Sequence, residues 1–172
     1  SPCEIDVGVE VQIISLFTEY GKSLEGGSFK VAYIDDRSPK VLLSVTSGSY
    51  NATILRNTSR LISSDEILNI DGSIYIVEGI SGNNITLTSA YRGESKPYGV
   101  EALHETLPDA CIAHNASANE MRLHIMKSTE HLGSNNIEVS KTTLRDMEGF
   151  NYTITFSGEA FIDRVTNLHT IS

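Results

Sequence analysis

Residues 5–13, IDVGVEVQI, alternate without a break: Ile5, Val7, Val9, Val11 and Ile13 are apolar, and the positions between them are polar or glycine. A period of two is the signature of a strand with one buried face, and β-branched side chains favour that backbone. At about 3.3 Å per residue the stretch spans roughly 30 Å. After a turn-rich segment, SFKVAYI (28–34) and KVLLSVT (40–46) continue as strands. EILNI (66–70) and SIYIVE (73–78) flank Asp71-Gly72. That dipeptide predicts a hairpin, because a type I′ turn needs positive φ at both central residues. GISGNNITLTSAYRG (79–93) supplies a further turn and strand, so this middle stretch predicts a compact barrel or meander. NIEVSKTTL (136–144), NYTITFSG (151–158) and the tail 161–172 complete the strands.

One segment has the helical period instead. Ser117 is the expected N-cap, with Glu120 three residues on as its capping-box partner. Ala118, Met121, Ile125 and Leu132 share a face, and Gly133 is the expected end. The chain therefore predicts a mainly β molecule with one short helix.

Composition narrows the class. The chain has 172 residues and a net charge of −9. Nucleic acid and anionic membrane surfaces select basic patches, so neither is an expected partner. No run approaches the roughly 18 apolar residues of a membrane span, so no membrane insertion is expected. The start Ser1-Pro2-Cys3 is as expected of a mature chain after its signal peptide is removed. Five N-x-[ST] sequons begin at Asn51, Asn57, Asn84, Asn115 and Asn151. The eleven Asn residues of this Ser/Thr-rich chain would give roughly two by chance. The excess predicts N-glycosylation and an extracellular location, secreted or on a cell-surface appendage. Cys3 and Cys111 are an even pair, and an oxidising compartment predicts a disulfide between them, within or between chains. Two buried thiols are the alternative.

Several of these segments resemble a repeat of large secreted surface glycoproteins of algae and oomycete-like protists, of the Ig-like/IPT-like kind. They are VEVQIISL, GGSFKVAY, ACIAHNASANEMRLHIMKSTEHLG, NIEVSKTTL and GFNYTITFSG. LISSDEILNIDGSIYIVEGISGNNITLTSAYRG resembles the small β module often interleaved with that repeat. Together the patterns cover most of residues 9–160. The resemblance implies an immunoglobulin-like β-sandwich with one short helix from residues 1–48 and 94–172. An inserted small β-barrel or meander module takes 49–93. It also implies a structural or adhesive role without enzymatic activity. The layout is similar to protomers of helical extracellular fibrils assembled by donor-strand exchange.

Catalytic motifs are missing from the sequence: no G-x-S-x-G elbow, P-loop or H-E-x-x-H. His124 and His131 fall seven apart, too few ligands for a zinc site. Asp35-Asp36 and Asp65-Glu66 are expected in solvated loops, and Asn69-x-Asp71-Gly72 lacks the further ligands of a calcium loop. No catalytic residue, metal or cofactor is expected. Trp is absent and the Tyr residues are scattered, which weakens a sugar-binding platform.

The first strand is the strongest signal. Ile5, Val7, Val9, Val11 and Ile13 are expected to fill a groove in another copy, with main-chain hydrogen bonds adding affinity. Gly8 is the expected hinge between a donated segment, about 1–8, and the domain's own first strand, about 9–17. A head-to-tail contact of that kind generates a filament. The expectation is a secreted structural glycoprotein, the protomer of a homopolymeric helical fibril, pilus-like or flagellar-hair-like. A monomeric adhesion or ligand-binding module of a larger surface glycoprotein is the alternative, as is a first strand lying wholly within its own domain.

Overall fold

The computed structural model describes residues 10–18, 26–57, 60–129, 136–157 and 166–171. The chain is mainly β with one helix, and it divides into two compact units, Ile34–Leu107 and the remainder.

The middle unit is a closed antiparallel barrel. Its strands are β3 (Lys40–Val45), β4 (Asn51–Asn57), β5 (Glu66–Ile70), β6 (Ser73–Ser81), β7 (Asn84–Leu87) and β8 (Lys96–Thr106), in the order β3-β4-β7-β6-β5-β8. Alternate residues turn inward, as closure requires. Val41, Leu43, Val45, Leu68, Ile70, Val77, Ile85 and Leu87 fill the interior almost without exposure. Asp71 and Gly72 have φ of 50° and 84°, and Ile70 pairs with Ser73 across them. The expected two-residue hairpin is therefore present, with Asn69 Oδ1 accepting from the Gly72 amide at 2.9 Å. The unit is wider than the 49–93 module expected from sequence. β8 pairs with both β3 and β5, so the barrel closes only when strands outside 49–93 are included.

The other unit holds two three-stranded sheets and the helix. One sheet has the order β1-β11-β10, from β1 (Glu10–Phe17), β11 (Gly149–Ser157) and β10 (Asn136–Thr143). The second has the order β12-β2-β9, from β12 (Thr166–Ile171), β2 (Ser28–Asp35) and β9 (Ile112–Ala113). Ile14, Phe29, Val31, Tyr33, Ile112, Ile137, Tyr152, Ile154 and Phe156 form one core with Met121 and Ile125 of the helix.

Helix α1 (Ala118–Ser128) begins as the sequence predicts. Ser117 Oγ accepts from the Glu120 amide at 3.1 Å, and the Glu120 carboxylate accepts from the Ser117 amide at 2.7 Å. The bond from the Ser117 amide holds the Glu120 carboxyl below its ordinary range. The described helix closes at Thr129, whose amide and hydroxyl both donate to Ile125 O. Leu132 and Gly133 lie outside the described residues.

Candidate functional site

The first strand and the sheet behind it carry the surface with the most to explain. β1 pairs antiparallel with β11 in the register Val11↔Thr155, Ile13↔Thr153, Ser15↔Asn151 and Phe17↔Gly149. Side chains alternate across a sheet. The even residues of β1 turn to the core, where Ile14 is buried and Leu16 packs against the cluster. The odd residues turn outward. Val11, Ile13 and Phe17 are 54%, 62% and 60% exposed, the three together making an apolar row on the sheet's outer face.

Backbone phase adds a second feature. The Thr18 amide donates to Glu148 O at 3.1 Å, one step beyond the Phe17↔Gly149 pair. In an antiparallel ladder hydrogen-bonded and non-hydrogen-bonded pairs alternate. Even positions of β1 therefore bond to β11, and Val11, Ile13, Ser15 and Phe17 aim their amides and carbonyls at the opposite edge. Among the described residues no strand pairs with that edge. The far edge of the same sheet is treated differently. There Arg122 of α1 donates from Nε to Ile137 O at 2.9 Å, occupying an edge carbonyl of β10. Lys141 Nζ reaches Ala116 O at 3.0 Å and lies 3.8 Å from the Phe150 ring centroid. A helix and long basic side chains are common ways of closing a sheet edge.

Of the residues expected to form the donated strand, Val11 and Ile13 are on this outer face. Ile5, Val7 and Val9 lie outside the described residues, as does the hinge Gly8. The domain's own first strand, expected over about 9–17, is β1. Sequence reasoning missed Phe17. Ser15 interrupts the odd-numbered apolar series, and the outward phase resumes two residues later.

The sequons are dispersed over both units. Asn51 and Asn84 are exposed at the starts of β4 and β7. They are joined in space by the register Asn51↔Thr86, Ala52↔Ile85, Thr53↔Asn84, so each Asn faces the other sequon's Thr. The pair adjacent in sequence, Asn51 and Asn57, is not the adjacent pair in the fold. Asn57 is half-buried at the end of β4, and its Oδ1 is buried with no partner among the described residues. Asn115 is exposed before α1. Asn151 lies in the centre of the outer face, its Oδ1 accepting from Ser15 Oγ at 2.7 Å. Cys111 is exposed, and Cys3, its expected partner, lies outside the described residues.

Among the described residues of the barrel, a polar cluster surrounds Glu66. Glu66, expected in a solvated loop, is only 1% exposed. Its Oε1 accepts from Arg60 Nη2 at 2.6 Å and lies 2.9 Å from His104 Nδ1; its Oε2 accepts from the Ser63 amide at 2.5 Å and from Ser63 Oγ at 2.9 Å. Burial pushes the carboxyl up, but the bonds from His104, Arg60 and Ser63 outweigh it and hold the pKa down to about 2. With a carboxylate that only accepts, His104 donates from Nδ1, and its Nε2 is buried without a partner among the described residues. Ser63 Oγ is turned to Glu66 rather than to the imidazole, so the three do not form a nucleophile–base relay. The cluster ties the 60–66 loop to β8. His124 is a separate group, lowered by burial and by the charges of Lys127 and Lys30; His131 lies outside the described residues. Among the described residues no three His, Cys, Asp or Glu side chains are placed to hold a metal, and no helix is long and apolar enough to cross a membrane.

The chain matches no protein-family model, no curated protein and no solved structure.

Proposed function

We propose that the protein is a secreted structural glycoprotein, the protomer of a helical extracellular fibril assembled head to tail by donation of its N-terminal strand. In this account the two-sheet unit is an immunoglobulin-like sandwich, as the resemblance to Ig-like/IPT-like repeats implies, and the barrel is an inserted module.

One observation carries the proposal, and it is a matter of phase. The core takes the even residues of β1, Ile14 and Leu16, while Val11 and Ile13 face away from it. The apolar series of residues 5–13 is odd-numbered throughout. If the strand were continued towards its N-terminus in the same register, Val9, Val7 and Ile5 would fall on the face where Val11 and Ile13 are exposed among the described residues. An alternation this regular needs a cover, and the domain's own core is in the wrong phase to supply it. A groove on another copy supplies both the cover and partners for the edge amides and carbonyls that pair with no strand among the described residues. Burying five aliphatic side chains at about 1.5–3 kcal/mol each offers ample gross driving force before ordering costs.

Glycans on exposed sequons would keep the remaining surface in water and discourage unwanted strand pairing. Cys3 would travel with the donated segment, so a bridge to Cys111 would link neighbouring protomers.

Deletion of residues 1–8 tests the proposal. The truncated chain is expected to stay soluble and to form no filaments under negative stain, where the full chain does. Filaments of unchanged length from the truncated chain would overturn it. A monomeric adhesion module would be indifferent to the deletion.

A further inference from the structure

The outer face of the β1-β11-β10 sheet contains a modification site as well as an apolar row. Asn151 stands directly opposite Ser15 in the register. Its two diagonal neighbours on β1 are Ile13 and Phe17, the two most exposed apolar residues of that strand. Diagonal neighbours in an antiparallel pair lie about 7–8 Å apart, within the reach of a single pyranose ring. Opposite Phe17 is Gly149, which puts no side chain between the aromatic ring and whatever Asn151 bears.

We propose that an N-linked sugar on Asn151 is the cover of the Ile13–Phe17 half of this row. The donated segment remains about residues 1–8, and the groove of the neighbouring copy covers the outward row of β1 only as far as Val11; Ile13, the last of the five aliphatic residues assigned to that groove, is covered by carbohydrate of its own chain instead. The inference rests on the secretory reading above, because the modifying enzyme and its lipid-pyrophosphate-linked oligosaccharide donor belong to that pathway. In the transfer, Asn151 Nδ2 forms a bond to the anomeric carbon of the first N-acetylglucosamine. The bond from that carbon to the pyrophosphate oxygen breaks, the lipid pyrophosphate leaves, and the amide gives up one proton to the medium. The amide carbonyl is untouched, so the 2.7 Å bond from Ser15 Oγ to Oδ1 survives modification and fixes the amide plane. Thr153, the third residue of the sequon, also lies on the outer face, opposite Ile13, so the whole acceptor is on the side where the sugar would lie. The C–H face of a pyranose packs well on an aromatic ring and on aliphatic side chains.

The test uses the full chain secreted from a eukaryotic host. Glycopeptide mass spectrometry reads occupancy at each sequon, and fluorescence of an apolar dye reads exposure of the row. Thr153→Val removes the sequon while keeping Asn151, its bond to Ser15 and a β-branched residue in the strand. Loss of one glycan mass at Asn151 and a rise in dye fluorescence are expected, with the rise abolished when Ile13→Thr and Phe17→Thr are added. Asn151→Gln provides a second route to the unmodified face should the first variant fail to fold. An unmodified Asn151 in material where Asn51 or Asn84 carries sugar overturns this inference alone. Five unmodified asparagines overturn the secretory reading and this inference together. A glycan at Asn151 whose removal leaves the dye signal unchanged overturns the covering role.

Discussion

At the scale of single residues, Glu66 shows how a charged group is kept inside a small barrel. Four hydrogen bonds, from Arg60, His104 and twice from Ser63, surround a side chain that is 1% exposed. Its folded pKa, about 2, lies below the ordinary 4.5. A carboxyl depressed on folding contributes stability that is fully present above its unfolded pKa. That contribution is lost as pH falls through the window from 4.5 to about 2, because the unfolded chain takes up the proton first. Between neutral pH and about pH 3 the loss amounts to roughly 2 kcal/mol. Glu66→Gln is expected to be less stable than the natural chain at neutral pH and to lose about 2 kcal/mol less on acidification, read from urea midpoints at the two pH values. An identical acid slope in both proteins would mean that the cluster does not hold its proton balance in the folded state.

Among the elements, the β1–β11 pair depends on a glycine. Gly149 has φ of +156°, and a Cβ there would meet Leu16 O and the Phe17 Cα of the facing strand. Backbone cannot move aside as a flexible side chain can. Gly149→Ala is expected to cost about 1–3 kcal/mol or more and to loosen the C-terminal half of β1, seen as a lowered thermal midpoint and faster amide exchange at Leu16. Unchanged stability would show that the two strands approach less closely than this register implies. Strong periodicity made the other strands of this kind legible from sequence: β2, β3, β5, β6, β10 and β11 lie where alternation predicts them. The Asp71-Gly72 turn and the capping box of α1 were legible too, because each rests on local chemistry. β8 was not. Pro97 and Gly99 interrupt its beginning, and its buried alternation, Val100, Ala102 and His104, is carried partly by residues that do not read as apolar. His104 and Glu66 were invisible as a pair, since they meet only when β5 aligns with β8. The juxtaposition of the Asn51 and Asn84 sequons was hidden for the same reason.

For the whole molecule, the alternating N-terminal stretch was evident from sequence, but which of its faces the domain would use was not. Phase settles that question for β1, and it is a property of register rather than of composition: a shift of one residue would have buried Val11 and Ile13 and exposed Ile14. The proposed fibril follows from that choice of face, since a row of apolar side chains and a strand edge unpaired among the described residues invite another chain at the same place. Amide hydrogen exchange of residues 5–9 in the full chain, followed across a dilution series from filaments to free protomers, tests this most directly. The account predicts amides protected in the assembled state and exchanging freely once protomers separate. Protection that persists undiminished in free protomers would place the strand within its own domain and contradict the account, as would free exchange at every concentration.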